Sequence, residues 1–384
     1  MRTIGVVTTS RADYGIYRPL LRAIVDDPEL ELYLLVSGMH LSPEFGRTVE
    51  VIEAEGFTIG DRIEMLLSSD TPEAIAKSTG LGMIGFAQSF ARTRPNLLVV
   101  LGDRFEMFAA AAAAMPFVVP IVHLYGGEST EWLIDEPIRH SITKMSHLHF
   151  TATEAYARRV RQMGEEPWRV TVSGALSLDN LSQIDMLTPD QLEERYGFDL
   201  SEPPLLVTFH PVTLEYAQTD QHIGALLGAL DDSGRPVIFT YPNADTAGRR
   251  IIEGINRYVD EHQNAWAVDN LGTQGYFSLM THAATMVGNS SSGIIEAASF
   301  KLPVVNIGNR QRGRMHDRNV IDVATTREAI REGIEQAMSN DFRTGLADLI
   351  NPYGDGTAAE KIVSRLKSVE LDQELLLKRF YAGG

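Results

Sequence analysis

The sequence predicts an α/β protein with two doubly wound, Rossmann-like domains that face each other across a cleft. At 384 residues, the chain exceeds the size at which a single hydrophobic core stops growing. Short β-branched or aliphatic runs alternate with segments of helical length, which is typical of parallel sheets covered by helices. The alternation lapses over the polar residues 179–190 and then restarts, which indicates a second domain.

The first domain is expected to span residues 1–178. Its strand-like runs are residues 4–8, 30–36, 97–101, 118–123, 148–151 and 170–173. The uncharged stretch 107–122 is shorter than the roughly 20 residues that cross a bilayer, and Pro116 and Pro120 interrupt it. We therefore expect a buried, alanine-rich helix that ends near Met115, followed by a core strand.

The second domain is expected to span residues 179–367. Its strand-like runs are residues 205–209, 237–241, 265–269, 285–288 and 304–307. Two helices are predicted near the end of the chain, at residues 358–366 and 374–381. The final segment, 368–384, is a candidate to pack back on the first domain.

The composition excludes several classes of function. The net charge of −17 argues against a nucleic-acid partner, because such binding needs a basic surface that neutralises phosphates. The absence of cysteine excludes disulfides, thiolate metal sites and a cysteine nucleophile, and it fits a reducing compartment. The apolar stretch at the start is too short for a signal peptide, so we expect a cytoplasmic protein without a membrane partner.

The ten histidines form no metal-binding pattern in the sequence. His147 and His149 lie in a predicted buried strand, and no carboxylate completes a site with zinc spacing, so a structural role is favoured. We therefore expect no metal.

Polar residues directly after the predicted strands are candidates for a site, because doubly wound sheets bind ligands beyond the carboxyl ends of their strands. Ser10, Arg11 and Asp13 follow the first strand and open a helix. They either cap that helix or bind a phosphate at its positive end. Asp103 and Arg104 follow a later strand, where a local salt bridge is the alternative to a functional role.

Further carboxylates are predicted at the same edge of the sheet. Glu128 comes after two glycines, which let the backbone approach a ligand closely, and Asp135 and Glu136 begin a helix seven residues later. Taken alone, the two helix-start residues would also fit a capping role. With Asp103 nearby, however, the clustering is costly unless a site uses perturbed protonation. We therefore predict a catalytic role for Asp103, Glu128 and Glu136, and a weaker one for Asp135.

The second predicted domain carries a candidate phosphate site. His210 ends its first strand, where a cationic or hydrogen-bonding role is favoured, and we predict it to be the fourth catalytic residue. The loop Gly-Asn-Ser-Ser-Ser-Gly at 288–293 precedes a predicted helix with Glu296. Its N–H groups and the hydroxyls of Ser290 and Ser291 suit a diphosphate, and Glu296 suits ribose hydroxyls. Arg310 follows the next strand as a further phosphate contact, unless it belongs to a solvated basic loop.

Seven motifs follow one another along most of the chain. They are Arg-Ala-Asp-Tyr at 11–14, Gly-Asp-Arg-Phe-Glu at 102–106, Gly-Gly-Glu at 126–128, Asp-Glu at 135–136 with Arg-His at 139–140, His-Pro-Val-Thr at 210–213, Tyr-Pro-Asn at 241–243 and Gly-Asn-Ser-Ser at 288–291. In order and approximate spacing, they resemble the hydrolysing UDP-N-acetylglucosamine 2-epimerases of sialic and legionaminic acid synthesis.

The resemblance implies a GT-B-like architecture, in which the second domain holds most of the nucleotide and the first holds the sugar. The residues implied to contact UDP are Arg11, Arg104, His210, Asn243, Ser290, Ser291, Glu296 and Arg310. Asp103, Glu128 and Glu136 are implied to move the protons, and Tyr276 or Phe277 is implied to stack on the base. The family implies no metal or nicotinamide cofactor, and it suggests a homodimer or homotetramer.

The implied reaction is an anti elimination of UDP across C1 and C2 of the sugar, followed by addition of water to the resulting glycal. The free 2-epimer, N-acetylmannosamine or a relative, then leaves alongside UDP. The His-Pro-Val-Thr motif resembles the hydrolysing branch of the family rather than the non-hydrolysing branch. Trp132 stands where relatives carry glycine, and this bulky residue favours a deoxy or diacetamido sugar as substrate.

Two other functions fit the same architecture. A glycosyltransferase would pass the sugar to an acceptor, and a nucleotide-sugar sensor would bind its ligand without chemistry. Neither has a reason to keep three carboxylates together, so the sequence favours elimination.

Overall fold

The computed structural model describes residues 1–69, 71–130, 134–242, 248–268 and 271–382, and the chain divides into two compact units. The first unit comprises Met1–Glu128, Ile134–Ser182 and Tyr353–Gly384. The second comprises Ser129–Leu133 and Gln183–Pro352. The main boundary therefore falls after Ser182 rather than after residue 178, and the return to the first unit begins at Tyr353 rather than at residue 368.

The first unit is a parallel seven-stranded sheet with helices between its strands. The strands are β1 (Arg2–Thr8), β2 (Leu30–Ser37), β3 (Ile59–Ile63), β4 (Leu97–Leu101), β5 (Ile121–Leu124), β6 (Leu148–Thr151) and β7 (Val170–Val172). The helices are α1 (Arg11–Asp26), α2 (Val49–Ala54), α3 (Pro72–Arg92), α4 (Phe105–Ala114), α5 (Asp135–Met145) and α6 (Glu154–Gln162). The strand order β3-β2-β1-β4-β5-β6-β7 reverses between β1 and β4.

The second unit is a parallel six-stranded sheet of the same kind. Its strands are β8 (Leu205–Thr208), β9 (Val237–Thr240), β10 (Ala265–Val268), β11 (Thr285–Gly288), β12 (Val304–Ile307) and β13 (Val320–Val323). Its helices are α7 (Pro189–Tyr196), α8 (Thr219–Ser233), α9 (Gly248–Glu261), α10 (Gly272–His282), α11 (Ser291–Ile295), α12 (Arg327–Met338) and α13 (Asn340–Thr344). The order β10-β9-β8-β11-β12-β13 reverses between β8 and β11. The prediction of two doubly wound α/β sheets is confirmed.

The end of the chain returns to the first unit through α14 (Ala358–Ser368), which packs against α1. This amphipathic helix buries Ile362 and Leu366, which explains why the return begins earlier than predicted. The predicted helix 374–381 is wrong, because α15 (Gln373–Leu376) is only one turn long. The side chain of Arg169 binds the carbonyl of Leu377 and thus takes an acceptor that a longer helix would use.

The predicted strands agree with the structure to within one or two residues at most positions. The run 118–123 is the exception, since β5 begins only at Ile121. A 3-10 turn (Met115–Phe117) precedes it, and Val118 has a φ of 55°, which is not a strand conformation. Pro116 and Pro120 lack the N–H that a central strand needs, which accounts for the shorter element.

The strands β3 and β13 are edge strands that the sequence did not reveal. β3 has the sequence Ile-Gly-Asp-Arg-Ile and keeps only its last residue buried, and β13 has an exposed Asp322. Edge strands have one solvated side, so they lack the continuous apolar run that marks the central strands. Among the described residues, none of the helices is both long and apolar enough to cross a membrane.

Candidate active site

The carboxyl ends of β1 and β4 lie side by side where the strand order reverses, which is where such sheets bind ligands. After β1, Ser10 caps α1 by accepting a hydrogen bond from the Asp13 N–H. The buried Asp13 carboxylate accepts hydrogen bonds from the Thr9 hydroxyl at 2.7 Å and from the Ser10 hydroxyl at 2.9 Å. Ser10 and Asp13 therefore act as the helix cap, and Arg11 is exposed at the first helical position.

The turn after β4 presents Asp103 and is held by a neutral histidine. Gly102 adopts a left-handed φ of 73°, and its carbonyl accepts a hydrogen bond of 2.8 Å from His123 Nε2. Burial lowers the pKa of His123 to about 3, so the ring is neutral, and its Nδ1 lies 3.1 Å from the Thr143 hydroxyl. Because Nε2 donates, Nδ1 accepts from Thr143, and His123 thereby links the Asp103 turn to α5.

Arg139 of α5 connects the three predicted catalytic carboxyl residues. Its side chain is 1% exposed, and its guanidinium forms ion pairs with Asp103 and, at 2.5 Å, with Glu136 Oε2. Its Nη1 also donates to the main-chain carbonyl of Glu128 at 3.1 Å. A buried guanidinium has enough donors to serve all three partners, so Asp103, Glu128 and Glu136 converge on one group.

Asp135 occupies the first position of α5. Burial and the negative charge of Asp103 together raise the pKa of Asp135 to about 6, against the opposing charges of Arg104 and Arg139. A carboxyl group with such a pKa exchanges protons near neutral pH. The neighbouring Glu136 is held from its other side by His140, whose Nε2 lies 3.3 Å from Glu136 Oε1.

Arg104 lies at the N-cap position of α4 and makes the local salt bridge that the sequence left open as an alternative. Its Nη2 lies 2.8 Å from Glu106 Oε1, and the Glu106 side chain is fully buried. The charge of Glu106 raises the pKa of Arg104, so the guanidinium stays ionised and neutralises that carboxylate. A contact between Arg104 and UDP stays a prediction.

The two glycines before Glu128 are required by protein packing. A Cβ on Gly127, whose φ is 79°, would lie 2.4 Å from the carbonyl oxygen of Tyr156. A Cβ on Gly126 would lie 3.0 Å from His123 Nδ1. These close approaches to other parts of the chain, rather than to a ligand alone, explain why the loop after β5 needs glycine.

In the second unit, Asn289 joins the ends of β8 and β11. Its Oδ1 accepts a hydrogen bond of 2.7 Å from the His210 N–H, and its Nδ2 donates to the His210 carbonyl at 2.8 Å. Its own carbonyl accepts from Arg310 Nη1 at 3.1 Å and from Gln311 Nε2 at 2.8 Å. One buried asparagine therefore holds His210 and Arg310 in place at the reversal point of this sheet.

His210 is 6% exposed, and its ring is uncharged. Burial lowers the pKa of His210 well below its ordinary value, and the positive charge of Arg310 lowers it further. Of the two roles that the sequence left open, the neutral ring fits hydrogen bonding rather than a permanent positive charge.

The serine loop after β11 has a tightly constrained backbone. Gly288 has a φ of 143°, and a Cβ there would lie 2.0 Å from the carbonyl oxygen of Thr208. Ser290 caps the five-residue helix α11 by accepting a hydrogen bond from Ser292 N–H, and Ser291 is the first residue of that helix. Glu296 is mostly buried and lies at the C-terminal end of α11, outside the helix that was predicted to carry it.

The two aromatic candidates in α10 have different environments. Phe277 is 4% exposed, and its ring packs against Phe300 at a centroid distance of 5.7 Å, so it belongs to the core and is not available to stack on a base. Tyr276 is half-buried, and burial raises its pKa to about 12. Base stacking by Tyr276 stays a prediction.

Comparison with known proteins places the chain in a family. The family model for UDP-N-acetylglucosamine 2-epimerase matches residues 22–367. The UDP-N,N'-diacetylbacillosamine 2-epimerase (hydrolyzing) of Legionella pneumophila is 38% identical over 98% of this chain and 99% of its own length. The GDP/UDP-N,N'-diacetylbacillosamine 2-epimerase (hydrolyzing) of Campylobacter jejuni is 40% identical, over 99% and 98%.

The chain belongs to the UDP-N-acetylglucosamine 2-epimerase family. It is an enzyme of the hydrolysing 2-epimerase type, as the resemblance implied. The Neisseria meningitidis UDP-GlcNAc 2-epimerase, whose crystal structure is bound to UDP-GlcNAc, superposes with a TM-score of 0.82 at 17% identity, covering 96% of this chain and 100% of that one. At that identity, the likeness concerns the fold.

Three residues that organise the candidate site of this epimerase are not predicted by the sequence pattern. Arg139, Asn289 and His123 each hold several groups at a sheet edge, although none of them was proposed as a site residue. Arg139 and Asn289 lie inside motifs that carried the family resemblance, and that membership was the available signal. Their partners are distant along the chain, as with Asp103 and Arg139, which are 36 positions apart.

Two candidate site residues of the epimerase, Asn243 and Trp132, lie outside the described residues. Within the described part of the chain, no group of three or more His, Asp and Glu side chains is arranged to hold a metal ion. His149 Nε2 instead lies 2.9 Å from Glu165 Oε2, and His147 Nδ1 accepts from the Ile121 N–H at 3.1 Å, so both histidines have structural contacts.

Proposed function

We propose that this epimerase converts UDP-N,N'-diacetylbacillosamine into UDP and the free 2-epimer, 2,4-diacetamido-2,4,6-trideoxymannose. The observation that carries the proposal is the nearly full-length identity of 38% and 40% to two enzymes named for that sugar. The free sugar suits the synthesis of an acid of the legionaminic type.

The reaction requires that C1–O cleavage precede or accompany removal of the C2 proton, because that proton is not acidic in the intact sugar. The C1–O electrons leave with UDP, and the C2 proton passes to a base, which gives the glycal. Water then adds its hydroxyl to C1, and a proton returns to C2 from the opposite face. Inversion at C2 therefore needs proton-transfer groups on two faces of the ring.

We assign the first proton transfer to Asp135 and the second to Glu128. Asp135 has a pKa near 6, so a large fraction is ionised at neutral pH and can accept the C2 proton. Glu128 is buried at the end of a loop that Arg139 fixes through the Glu128 carbonyl. Asp103 and Glu136, paired with Arg139, supply negative charge that stabilises the oxocarbenium-like transition state.

The second unit is assigned to the nucleotide. Ser290, Ser291 and Arg310 would bind the diphosphate, and the neutral His210 would donate a hydrogen bond to it as charge develops on the leaving oxygen. Glu296 would accept ribose hydroxyls. Arg11, exposed at the start of α1, adds a positive charge for the phosphates.

Proton NMR of the reaction in deuterium oxide tests this function. The proposal predicts free 2-epimer that carries deuterium at C2, with UDP released in equal amount and no added acceptor. A parallel assay of UDP-N-acetylglucosamine and of the GDP-linked diacetamido sugar measures the preference for sugar and base. Release of UDP with the C2 proton retained would contradict elimination, and faster turnover of UDP-N-acetylglucosamine would contradict the substrate assignment.

A further inference from the structure

We propose that the C-terminal strap, defined as residues 373–381, positions the catalytic helix α5, and that Lys378 is the positioning residue through which it acts. The inference rests on the proposed roles of the α5 carboxylates. The strap follows α14 and lies on the first unit, at the opposite end of α5 from Asp135 and Glu136. The strap contacts both main-chain and side-chain atoms in the last turn of that helix.

Arg169 anchors the strap by binding its main-chain carbonyls. The guanidinium donates to the carbonyls of Glu374 and Leu375, each at 2.8 Å, and to that of Leu377 at 3.1 Å. Its Nε also pairs with Glu166 at 2.8 Å, and its side chain is 1% exposed. A buried arginine that donates three hydrogen bonds to the carbonyls of one segment fixes the backbone of that segment, whatever side chains the segment carries.

Lys378 connects the strap to α5. Its ammonium lies 2.8 Å from Glu165 Oε2 and donates to the main-chain carbonyl of Lys144 at 2.8 Å. Lys144 is in the last turn of α5, where carbonyls have no partner within the helix. The Lys378 cation therefore satisfies an open carbonyl and lies at the negative end of the helix.

Glu165 makes this attachment a charged network rather than a single contact. Its fully buried carboxylate also lies 2.6 Å from Lys144 Nζ and 2.9 Å from His149 Nε2. Burial raises the pKa of Glu165, but the hydrogen bonds and charges of these partners outweigh it and lower the pKa to about 2. Burial lowers the pKa of His149, its contact with Glu165 opposes that shift, and Lys144 and Lys378 place two cations beside the one Glu165 anion.

The end of the strap lies against Gly164, in the turn after α6, and beside Lys144 of α5. Phe380 packs on Gly164, where a Cβ would lie 2.4 Å from the ring, and Lys144 Nζ lies 5.4 Å from the ring centroid. The Tyr381 N–H donates to the Gly164 carbonyl at 2.8 Å. The strap thus has a specific seat, which a loosely attached tail would not need.

Two sets of contacts connect the strap to the candidate active site. Thr143, next to Lys144, binds His123, and His123 holds the turn that presents Asp103. The helix itself carries Arg139 less than two turns before Lys144. Because proton transfer depends on sub-ångström placement, a small shift of α5 is expected to slow the chemical step.

Replacement of Lys378 tests the proposal. In Lys378→Met, we expect kcat to fall by about 10- to 100-fold well below the melting temperature, with KM and the Kd for UDP nearly unchanged. Lys378→Arg should restore most of kcat, because it keeps the cation. Hydrogen exchange should accelerate at amides 135–145 in Lys378→Met. A merely structural loss of stability would not change kcat in the folded enzyme.

Lys367→Met is the matched control, since this α14 lysine pairs with Asp27 and Glu29 at the surface and does not contact α5. Its kcat should stay within about twofold of the parent value. If Lys378→Met does not fold, a chain that ends after Arg379 replaces it. This chain keeps Lys378 but removes Phe380 and Tyr381, and its kcat should fall by about 2- to 10-fold relative to the parent, with faster exchange at α5; unchanged kcat and unchanged exchange would overturn the proposal.

Three outcomes separate the strap from the proposed function. Unchanged kcat and unchanged exchange in Lys378→Met, alongside slow turnover in Asp135→Asn, would overturn the positioning role alone. Normal turnover in Asp135→Asn would overturn the assignment of α5 itself. An equal loss of kcat in Lys378→Met and Lys367→Met would mean that the lysines act through general stability, and would also overturn the proposal.

Discussion

Arg139 is a buried cation whose two carboxylate partners are themselves largely shielded from water. Its side chain is 1% exposed, and those of Asp103 and Glu136 are 25% and 23% exposed. Removing the cation would leave two carboxylates facing each other without compensation. At this scale, the site is a balanced set of charges in which no member can be removed independently.

We therefore expect Arg139→Met to lower the free energy of unfolding by about 3–5 kcal/mol, which denaturant titration measures. Arg139→Lys should keep part of the stability but lose turnover, because a lysine cannot bind three partners with one rigid fork. Arg92→Met is the control, since Arg92 pairs with Asp61 at an exposed site, and its cost should stay below about 1 kcal/mol.

Asp135 gives the activity of the epimerase a defined pH dependence. A base must be ionised, so kcat/KM should rise with pH through the Asp135 pKa of about 6 and then level off. Asp135→Asn should slow turnover by about 100- to 10,000-fold and remove that inflection. Asp341→Asn, which changes a first-turn acid of α13, should leave the profile as it is. An inflection that persists in Asp135→Asn would assign it to another group.

Residues such as Arg139 also mark how far the sequence could predict the site. Asp103, Glu128 and Glu136 were predicted from their positions after strands, because the carboxyl edge of a parallel sheet is a general ligand position. The buried arginine that joins them depends on a neighbour 36 positions away, and no local pattern encodes that distance. Phe277 and Tyr276 show the same limit of sequence-based prediction. They are adjacent in α10, yet the side chain of Phe277 is buried in the core and that of Tyr276 is half-buried.

At the scale of elements, buried central strands were predictable and edge strands were not. β4 is a continuous apolar run and β11 is buried along its whole length, because helices cover both faces of each sheet, and the bounds of both strands matched the prediction. β3 contains Asp61 and Arg62, which are compatible with a strand only at an edge. Helix α14 was predicted from its amphipathic pattern, whereas the strap was not, because its conformation depends on Arg169.

At the end of β11, the backbone conformation and the packing around residue 288 allow only glycine. We expect Gly288→Ala to lower the free energy of unfolding by at least about 3 kcal/mol, because its Cβ would lie 2.0 Å from the Thr208 carbonyl oxygen at a φ of 143°. Gly224→Ala in α8 is the matched control, since nothing lies within 4 Å of its Cβ. That control should gain up to about 1 kcal/mol from helix propensity. An equal change in the free energy of unfolding of the two variants would show that β11 can shift enough to accommodate the added Cβ.

At the scale of the whole molecule, each unit brings its candidate groups to the carboxyl ends of neighbouring strands in its sheet. Acidic groups gather at β4 and β5 of the first sheet, and Arg310, His210 and the serine loop gather at β8 and β11 of the second. Under the proposed assignments, the same sheet plan carries acid–base chemistry in one unit and phosphate recognition in the other.

Because phosphate-binding groups are assigned to the second unit, we predict that the epimerase does not require a divalent metal for turnover. Arginine and histidine donors are assigned to the diphosphate, so its negative charge has partners in the chain itself. Incubation with excess EDTA followed by desalting should leave kcat and KM unchanged, and added Mg²⁺ should not raise them. A loss of turnover that Mg²⁺ or Mn²⁺ restores would show that the diphosphate needs a cation which the chain does not provide.

The return of α14 and the strap to the first unit has a consequence for how the protein is made. The second unit is nearly continuous in sequence, but the first cannot be completed until the ribosome has translated the second and then the residues from Tyr353 onward. Domains commonly fold in the order of synthesis, and here that order is inverted. Until those residues are made, α1 lacks α14, so the growing chain exposes the apolar surface of α1 that α14 covers in the finished protein.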